Sequence, residues 1–291
     1  MGSAMSYDER LIGSKPSEEF IEKSRARRDA MFKRRFEQRE AIREEQRSLN
    51  ESSLALLRKS ATGDLAIEAA VKAAKAARER SLAHAKRSLH PPQRAKVLAR
   101  FHVGSVDVTF VPPYWPSQST ATTGLNATAT VSVDENAGTM GFWLGTGNDG
   151  KTATADIGLG YYFQPLADNG IMDVYATPSF DYMWSGASTL DSWYNAAVIG
   201  LQIDQYTEGD EYVATPVNQS ITLWNSTGGE DRGSNSGYPL SASTPVDSDH
   251  YYVIWVQAAG EAGADGWSAA WGSESNSFLT LTVPSISVHA Y

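Results

Sequence analysis

The spacing of apolar residues along this 291-residue chain changes period once, across Leu89–Phe101. Ahead of that segment, Ile67, Val71, Ala74, Arg78, Leu82, Ala85 and Leu89 follow one another at intervals of three or four, one helical face interrupted by Arg78. Beyond it the interval is two. Val106, Val108 and Phe110 alternate with Asp107 and Thr109. Leu125, Ala127, Ala129, Val131 and Val133 alternate with polar neighbours, and so do Ala155, Ile157, Leu159, Tyr161 and Phe163. Alternation of this kind marks half-buried antiparallel strands. Further strands are predicted at 140–144, 172–176, 180–184, 196–206, 212–224, 251–258, 278–283 and 286–290. Turn chemistry separates them at Asp134–Gly138, Asn148-Asp149-Gly150 and Asp168-Asn169-Gly170.

The pattern predicts a segregated α+β chain. A long helix or helical hairpin precedes an all-β antiparallel sandwich of two sheets and jelly-roll type, with a closed barrel as the main alternative. The division is residues 1–16 as expression scar and flexible N-terminus, 17–90 as helical stalk or oligomerisation region, 91–100 as a proline-containing junction, and 101–291 as a β-sandwich recognition domain. Within the helical part, acid-before-base pairs such as Glu19/Lys23 and Asp29/Lys33 support a helix over about 17–47. Its apolar residues, from Phe20 and Ile21 through Met31, Phe32 and Phe36 to Ile42 and Leu49, form a broken stripe that suits packing against another body better than folding alone. A break is expected near Asn50. Gly63 and Asp64 read as the end of one helix and the cap of the next, and Pro91 and Pro92 end the helical part.

Charge follows the same division. Residues 1–100 hold 23 of the 25 Lys and Arg with 14 of the 34 acids, net +9, whereas residues 101–291 hold only Lys151 and Arg232 against 20 acids, net −18. Three readings of the basic segment stand. Arg28, Arg34, Arg35, Arg39, Arg43 and Arg47 can gather on phosphates. The interspersed glutamates fit a solvated helix face. The basic segment can also lie against the acidic body, in its own chain or in a second copy. The junction after Leu89 is accordingly either a stiff spacer or a corner that folds the helices back. All eight Trp lie beyond residue 101, where the core must be.

Candidate chemistry is sparse. The chain lacks cysteine, which removes disulfides, thiolate metal sites and cysteine nucleophiles. It has no apolar run long enough for a spanning helix and no classical signal peptide. Its five histidines share no metal-ligand spacing. Asp247 and Asp249 are the candidate metal ligands, for Ca²⁺, although the same residues suit a solvated turn. Asp204, Glu208, Asp210 and Glu211 form an acidic connection, and Asp204 with Glu208 is the pair that a glycoside hydrolase would use. Tyr114 and Trp115, flanked by Pro112, Pro113 and Pro116, are excluded from a central strand and are expected to be displayed. Two aperiodic stretches, 225–250 and 260–276, read as long functional loops and carry Tyr238, Trp267 and Trp271. Trp143, Trp184, Trp224 and Trp255 are expected in the core or on a sheet face.

These features favour a non-enzymatic, oligomeric recognition protein of adhesin, lectin-like or tail-fibre kind. It would gather through residues 17–90, bind a glycan or surface receptor through Tyr114, Trp115, Tyr238, Trp267 and Trp271, and act at an extracellular or cell-surface location. The alternatives are a secreted toxin or effector acting on membranes, and a capsid-like or nucleic-acid-associated protein with a basic arm.

Overall fold

Among the described residues, the period-two pattern becomes fourteen strands. The computed structural model describes residues 18–30, 34, 37, 106–146, 152–165, 170–187, 193–226, 229–264 and 274–291. The strands are β1 (Val106–Phe110), β2 (Ser117–Thr123), β3 (Ala127–Asp134), β4 (Thr139–Thr146), β5 (Thr152–Phe163), β6 (Gly170–Ala176), β7 (Ser179–Ala187), β8 (Trp193–Thr207), β9 (Tyr212–Ser226), β10 (Gly229–Asn235), β11 (Leu240–Val246), β12 (His250–Ala264), β13 (Glu274–Thr282) and β14 (Ile286–Ala290). They form three sheets rather than the expected two, in the orders β1-β14-β6-β11, β10-β7-β13-β4-β3 and β2-β5-β12-β8-β9. Every pairing, from β1 with β14 to β8 with β9, is antiparallel.

The core lies where alternation points the side chains of these sheets at one another. β5 contributes Ala153, Ala155, Ile157 and Leu159, β8 contributes Ile199, Leu201 and Ile203, and β12 contributes Ile254, Val256 and Ala258. Facing them are Met140, Phe142 and Leu144 of β4, Leu279 and Leu281 of β13, and Met172, Val174, Ile286 and Val288 from the smaller sheet. At about 25 cal/mol per Å² of apolar surface, burial of this set is the dominant favourable contribution to folding.

Two strands lie where a loop was expected between 225 and 250. β10 is almost wholly exposed on both faces, so an edge strand of Gly, Glu, Ser and Asn satisfies its backbone without any apolar alternation. β11 alternates strictly, but its inward residues include the small Ala242 and the polar Thr244, a weak signal in sequence. β2 was not anticipated for the same reason as β10, since Ser117–Thr123 is polar and lies at a sheet edge. Leu125 belongs to the turn ahead of β3, beside Asn126 at φ 54°, and is exposed. The turn at 134–138 is as expected: Asp134 Oδ1 accepts the amides of Asn136 and Ala137, and Gly138 supplies a φ of 66°. The alternation at 127–133 is that of an edge strand with one face on the core.

The chain divides into two compact units, one of residues 1–29 with 94–291 and the other of residues 30–93. Of the expected helical part, the described residues show one helix, α1, over residues 18–30. The break near Asn50, the Gly63-Asp64 cap, the helix over 65–89 and the Pro91-Pro92 corner lie outside the described residues. Up to Asp29, α1 belongs with the strands rather than with a separate stalk. Its buried face is Phe20, Ile21, Ser24 and Arg28, positions i, i+1, i+4 and i+8 of a helical stripe in which half the members are polar. The expected Glu19–Lys23 pair forms at 2.9 Å on the exposed side. Asp29 accepts hydrogen bonds from Gln118 Nε2, at 2.8 Å, and from Thr120 Oγ1 of β2, and Lys33, its expected partner, lies outside the described residues.

The face of the β2-β5-β12-β8-β9 sheet away from the core receives this helix. Phe20 is fully buried among Tyr162, Tyr206 and Tyr251, with edge-to-face ring separations of 5.4, 4.7 and 5.1 Å. Ser24 Oγ and Tyr206 Oη share a hydrogen bond of 3.3 Å. Arg25 donates through Nε to the Ser117 carbonyl at 2.9 Å and lies 3.5 Å from the Glu135 carboxylate. Arg28 forms an ion pair with Asp156 at 2.9 Å, donates to Gln257 Oε1 at 2.8 Å and lies 4.6 Å above the Trp255 ring. Glycine makes this approach feasible, because a Cβ on Gly158 would stand 3.1 to 3.2 Å from the guanidinium. Arg28 is thus committed to a carboxylate of its own body rather than to phosphates.

Burial raises the phenol pKa of Tyr114, Tyr162, Tyr206 and Tyr251, and that of Tyr206 is pushed up to about 12, with the nearby Asp204 charge adding to the shift. A folded-state pKa above the unfolded value contributes stability that is complete below the unfolded value and is lost as pH rises through the folded one. Stability is therefore expected to fall from about pH 10 towards about pH 12. Absorbance at 295 nm during an alkaline titration checks this. These four phenols should ionise together with unfolding, and ionisation of all thirteen tyrosines near pH 10 in the folded protein would contradict it.

Candidate ligand-binding face

Of the residues expected to bind a ligand, Tyr114, Trp115 and Tyr238 are among the described residues. Tyr114 is fully buried, and its hydroxyl donates to the Val283 carbonyl at 3.1 Å; this corrects its expected display. The prolines around it keep it out of a strand, but the loop they shape turns the ring into the core. Trp115 is 37% exposed beside it. Tyr238 is half-buried, packed on the core at 5.9 Å from the Phe180 ring. Trp267 and Trp271 lie outside the described residues.

Asp247 is bonded through Oδ1 to His250 Nδ1, and Asp249 is exposed in the turn before β12. Among the described residues no group of three or more His, Asp or Glu is placed to hold a metal ion. Asp204 and Glu208 do not share a cleft. Asp204 is buried in β8 and accepts from Gln202, from Thr215 at 2.6 Å and from Trp255 Nε1 at 3.1 Å, whereas Glu208 is exposed in the turn beyond the strand. Trp184, Trp224 and Trp255 are buried; among the described residues no helix is long and apolar enough to cross a membrane.

Strand register assembles a different set. On the outer face of the β10-β7-β13-β4-β3 sheet, Thr130 pairs with Trp143, Trp143 with Phe278, Phe278 with Met183, and Met183 with Arg232. Five strands about 4.8 Å apart make this a straight row roughly 19 Å long. Trp143 is 39% and Met183 46% exposed, with Phe278 half-buried between them. Among the described residues, the other exposed large apolar side chains are Val111, Leu125, Ile171 and Val213 together with Trp115; none shares this row.

The rows on either side are polar or small. One runs Thr128, Gly145, Asn276, Ser185 and Glu230; the other runs Ser132, Gly141, Thr280, Asp181 and Ser234. A Cβ on Gly145 would meet the benzo edge of Trp143 at 2.7 Å and Asn276 Oδ1 at 3.1 Å. The benzo edge of the indole therefore lies over Gly145, where Asn276 Oδ1 also comes close, and the ring remains partly exposed. Hydroxyls, an amide, two carboxylates and Arg232 thus surround a flat aromatic surface. Such an arrangement can stack an apolar ring face while exchanging hydrogen bonds around its rim.

A signal for this row exists in the sequence. In 140–144 the inward phase is Met140, Phe142 and Leu144, so Trp143 is an aromatic at the outward phase, between Gly141 and Gly145. Phe278 and Met183 are likewise out of phase with Leu279 and with Phe180 and Trp184. What no single strand reveals is that these three residues are neighbours.

The fold and this face define an antiparallel β-sandwich with an aromatic row across one outer sheet. No family model matches the chain, and no curated protein matches it. Among solved structures it is similar to TmCBM61, solved in complex with β-1,4-galactotriose, at 7% identity over 58% of this chain and 90% of that one, TM-score 0.20. It is also similar to the mannan-recognising carbohydrate-binding module TmCBM27, at 11% identity over 64% and 97%, TM-score 0.25. A third is the enzymatically active domain of bacteriophage CBA120 tailspike protein 4, at 11% identity over 57% and 19%, TM-score 0.22. At these scores the likenesses carry no argument about what this chain binds.

Proposed function

We propose that the protein is a non-enzymatic recognition protein that binds a glycan on the outer face of the β10-β7-β13-β4-β3 sheet. The single observation that carries this reading is the in-register row Trp143–Phe278–Met183, an exposed apolar stripe bordered by Asn276, Ser185, Thr130, Thr280, Asp181 and Glu230. A sugar ring has an apolar C–H face that stacks on a flat indole, while its hydroxyls need donors and acceptors at the rim. The site is a sheet surface rather than the loops, so it suits a saccharide chain lying across strands. Trp115 and Tyr238 and the segment with Trp267 and Trp271, which leads into β13, are secondary contacts in this proposal, and Ca²⁺ at Asp247 and Asp249 is an optional addition to it.

An open face leaves the bound hydroxyls half-solvated, and single-site affinity is then modest. Copies gathered through residues 17–90 would raise it through effective concentration. The test is a glycan array followed by titration of the best hit with wild type and Trp143→Ala. Loss of one well-packed aromatic contact is expected to weaken binding by about tenfold or more, near 1.4 kcal/mol, with thermal stability little changed because the ring is on the surface. Binding that is equally tight for the variant, or no binding to any arrayed glycan, would remove the reading.

A further inference from the structure

The seam between α1 and the sheet beneath it has the properties of an exchangeable joint. Its specific contacts come from one short segment: Phe20, Ser24, Arg25, Arg28 and Asp29 reach Tyr162, Tyr206, Tyr251, Asp156, Gln257, Gln118 and Glu135. Over residues 18–30 four acids balance four bases, but Arg25, Arg27 and Arg28 all turn toward a strongly acidic body, and that attraction does not depend on which copy supplies the helix. The seam is also incompletely satisfied. Arg28 Nε and Nη1, Arg27 Nε, Tyr162 Oη and Gln118 Oε1 are buried there with no hydrogen-bond partner. Groups that lose water without gaining a partner weaken a joint relative to its contact list, and they regain water when it opens. Finally, residues 31–105 of the sequence separate α1 from β1, so the helix is not tied to its groove by a tight loop.

We propose that this groove is a receptor for residues 18–30 of a second copy of the chain as well as of its own, so that copies associate by exchanging α1. Exchange of an identical element creates no new chemistry: every contact is preserved, and concentration decides between the closed and the exchanged form. The occupant is specified by the floor. Asp156, Gln257 and the Trp255 ring meet one guanidinium over the bare backbone of Gly158, and three tyrosine rings enclose one phenyl group two turns away. A helix carrying Phe at one position and Arg eight residues later fits both.

The absence of cysteine from the chain makes the test clean. One sample of the full chain carries a donor dye at Glu18→Cys on α1, and a second carries an acceptor at Asn136→Cys in the turn after β3, both exposed positions. Energy transfer is expected to grow after mixing and to rise with concentration. Transfer should vanish when both samples carry Arg28→Asp. It should return when a donor sample with Arg28→Asp is mixed with an acceptor sample with Asp156→Arg, because the reversed pair can form only between copies. The double variant Arg28→Asp/Asp156→Arg, in which the pair forms within one chain, controls for folding of the body. Absence of transfer in the wild type while residues 18–30 remain protected from hydrogen exchange would show closed docking alone and overturn the proposal. Transfer unaffected by Arg28→Asp would overturn it too, by placing the association elsewhere.

Discussion

Asn195→Ala is expected to destabilise the β-sandwich by about 3–5 kcal/mol in chemical denaturation, the largest loss from any single polar residue. Asn195 is fully buried in β8, and all its hydrogen-bonding capacity is used across elements. Its Nδ2 donates to the Asn276 carbonyl at 2.6 Å and to Ser275 Oγ at 3.2 Å. Its Oδ1 accepts from Trp224 Nε1 at 2.6 Å and from Ser277 Oγ. β8 and β9 belong to one sheet and β13 to another, so this one amide joins two layers. Alanine would leave an indole N–H and a hydroxyl buried without an acceptor, each costing about 1–3 kcal/mol, and would leave a small cavity besides. Asn195→Asp separates the two halves of the network: it keeps the acceptor for Trp224 but sets a carboxylate against the Asn276 carbonyl, and its loss should shrink as pH is lowered. An alanine variant within about 1 kcal/mol of wild type would show that water replaces the amide.

Phe20→Ala is expected to release α1 without unfolding the strands. Truncating a fully buried phenylalanine costs about 3–5 kcal/mol, and the three tyrosines that enclose Phe20 would lose their shared partner. What remains is Ile21, a thin polar set and the Arg28–Asp156 pair. A buried pair offers little net stabilisation once desolvation is counted, so it is a poor substitute for the lost aromatic anchor. The helix is short, and on its own it is not a stable element in water. Amides of residues 19–30 should therefore exchange rapidly in the variant while those of β5 and β12 stay protected. Trp255, fully buried beside Arg28, should shift its fluorescence to the red. Unchanged protection over 18–30 would mean that the polar contacts hold the helix by themselves.

Several parts of this architecture were legible in the chain. Alternation at 106–110, 127–133 and 155–163 fixes both the strand and the side of it that faces the core, because side-chain direction repeats every two residues whatever the partner strand. The aspartate and glycine of 134–138 specify a turn through local bonds. The edge strands β2 and β10 were not legible, since an edge has no need to bury a face and carries no alternation. Nor was the docked face of α1: Ser24 and Arg28 look like solvated positions, and they are buried because Tyr206, Asp156 and Gln257 meet them.

The candidate site divides in the same way. That Trp143, Phe278 and Met183 lie out of phase with the core residues of their own strands is a property of three short local patterns. Their alignment into one row is set by the register of β4 on β13 and of β13 on β7, pairings between segments more than eighty residues apart for β13 and β7 and more than a hundred for β13 and β4. By itself the sequence determined the elements, the phase of each strand and the +9 and −18 division of charge, all of which depend on composition and near neighbours. The tertiary structure alone decided that some of the positive charge is spent on the negative body and that three outward side chains make a surface, because partner choice and register are set by contacts between segments remote in the chain.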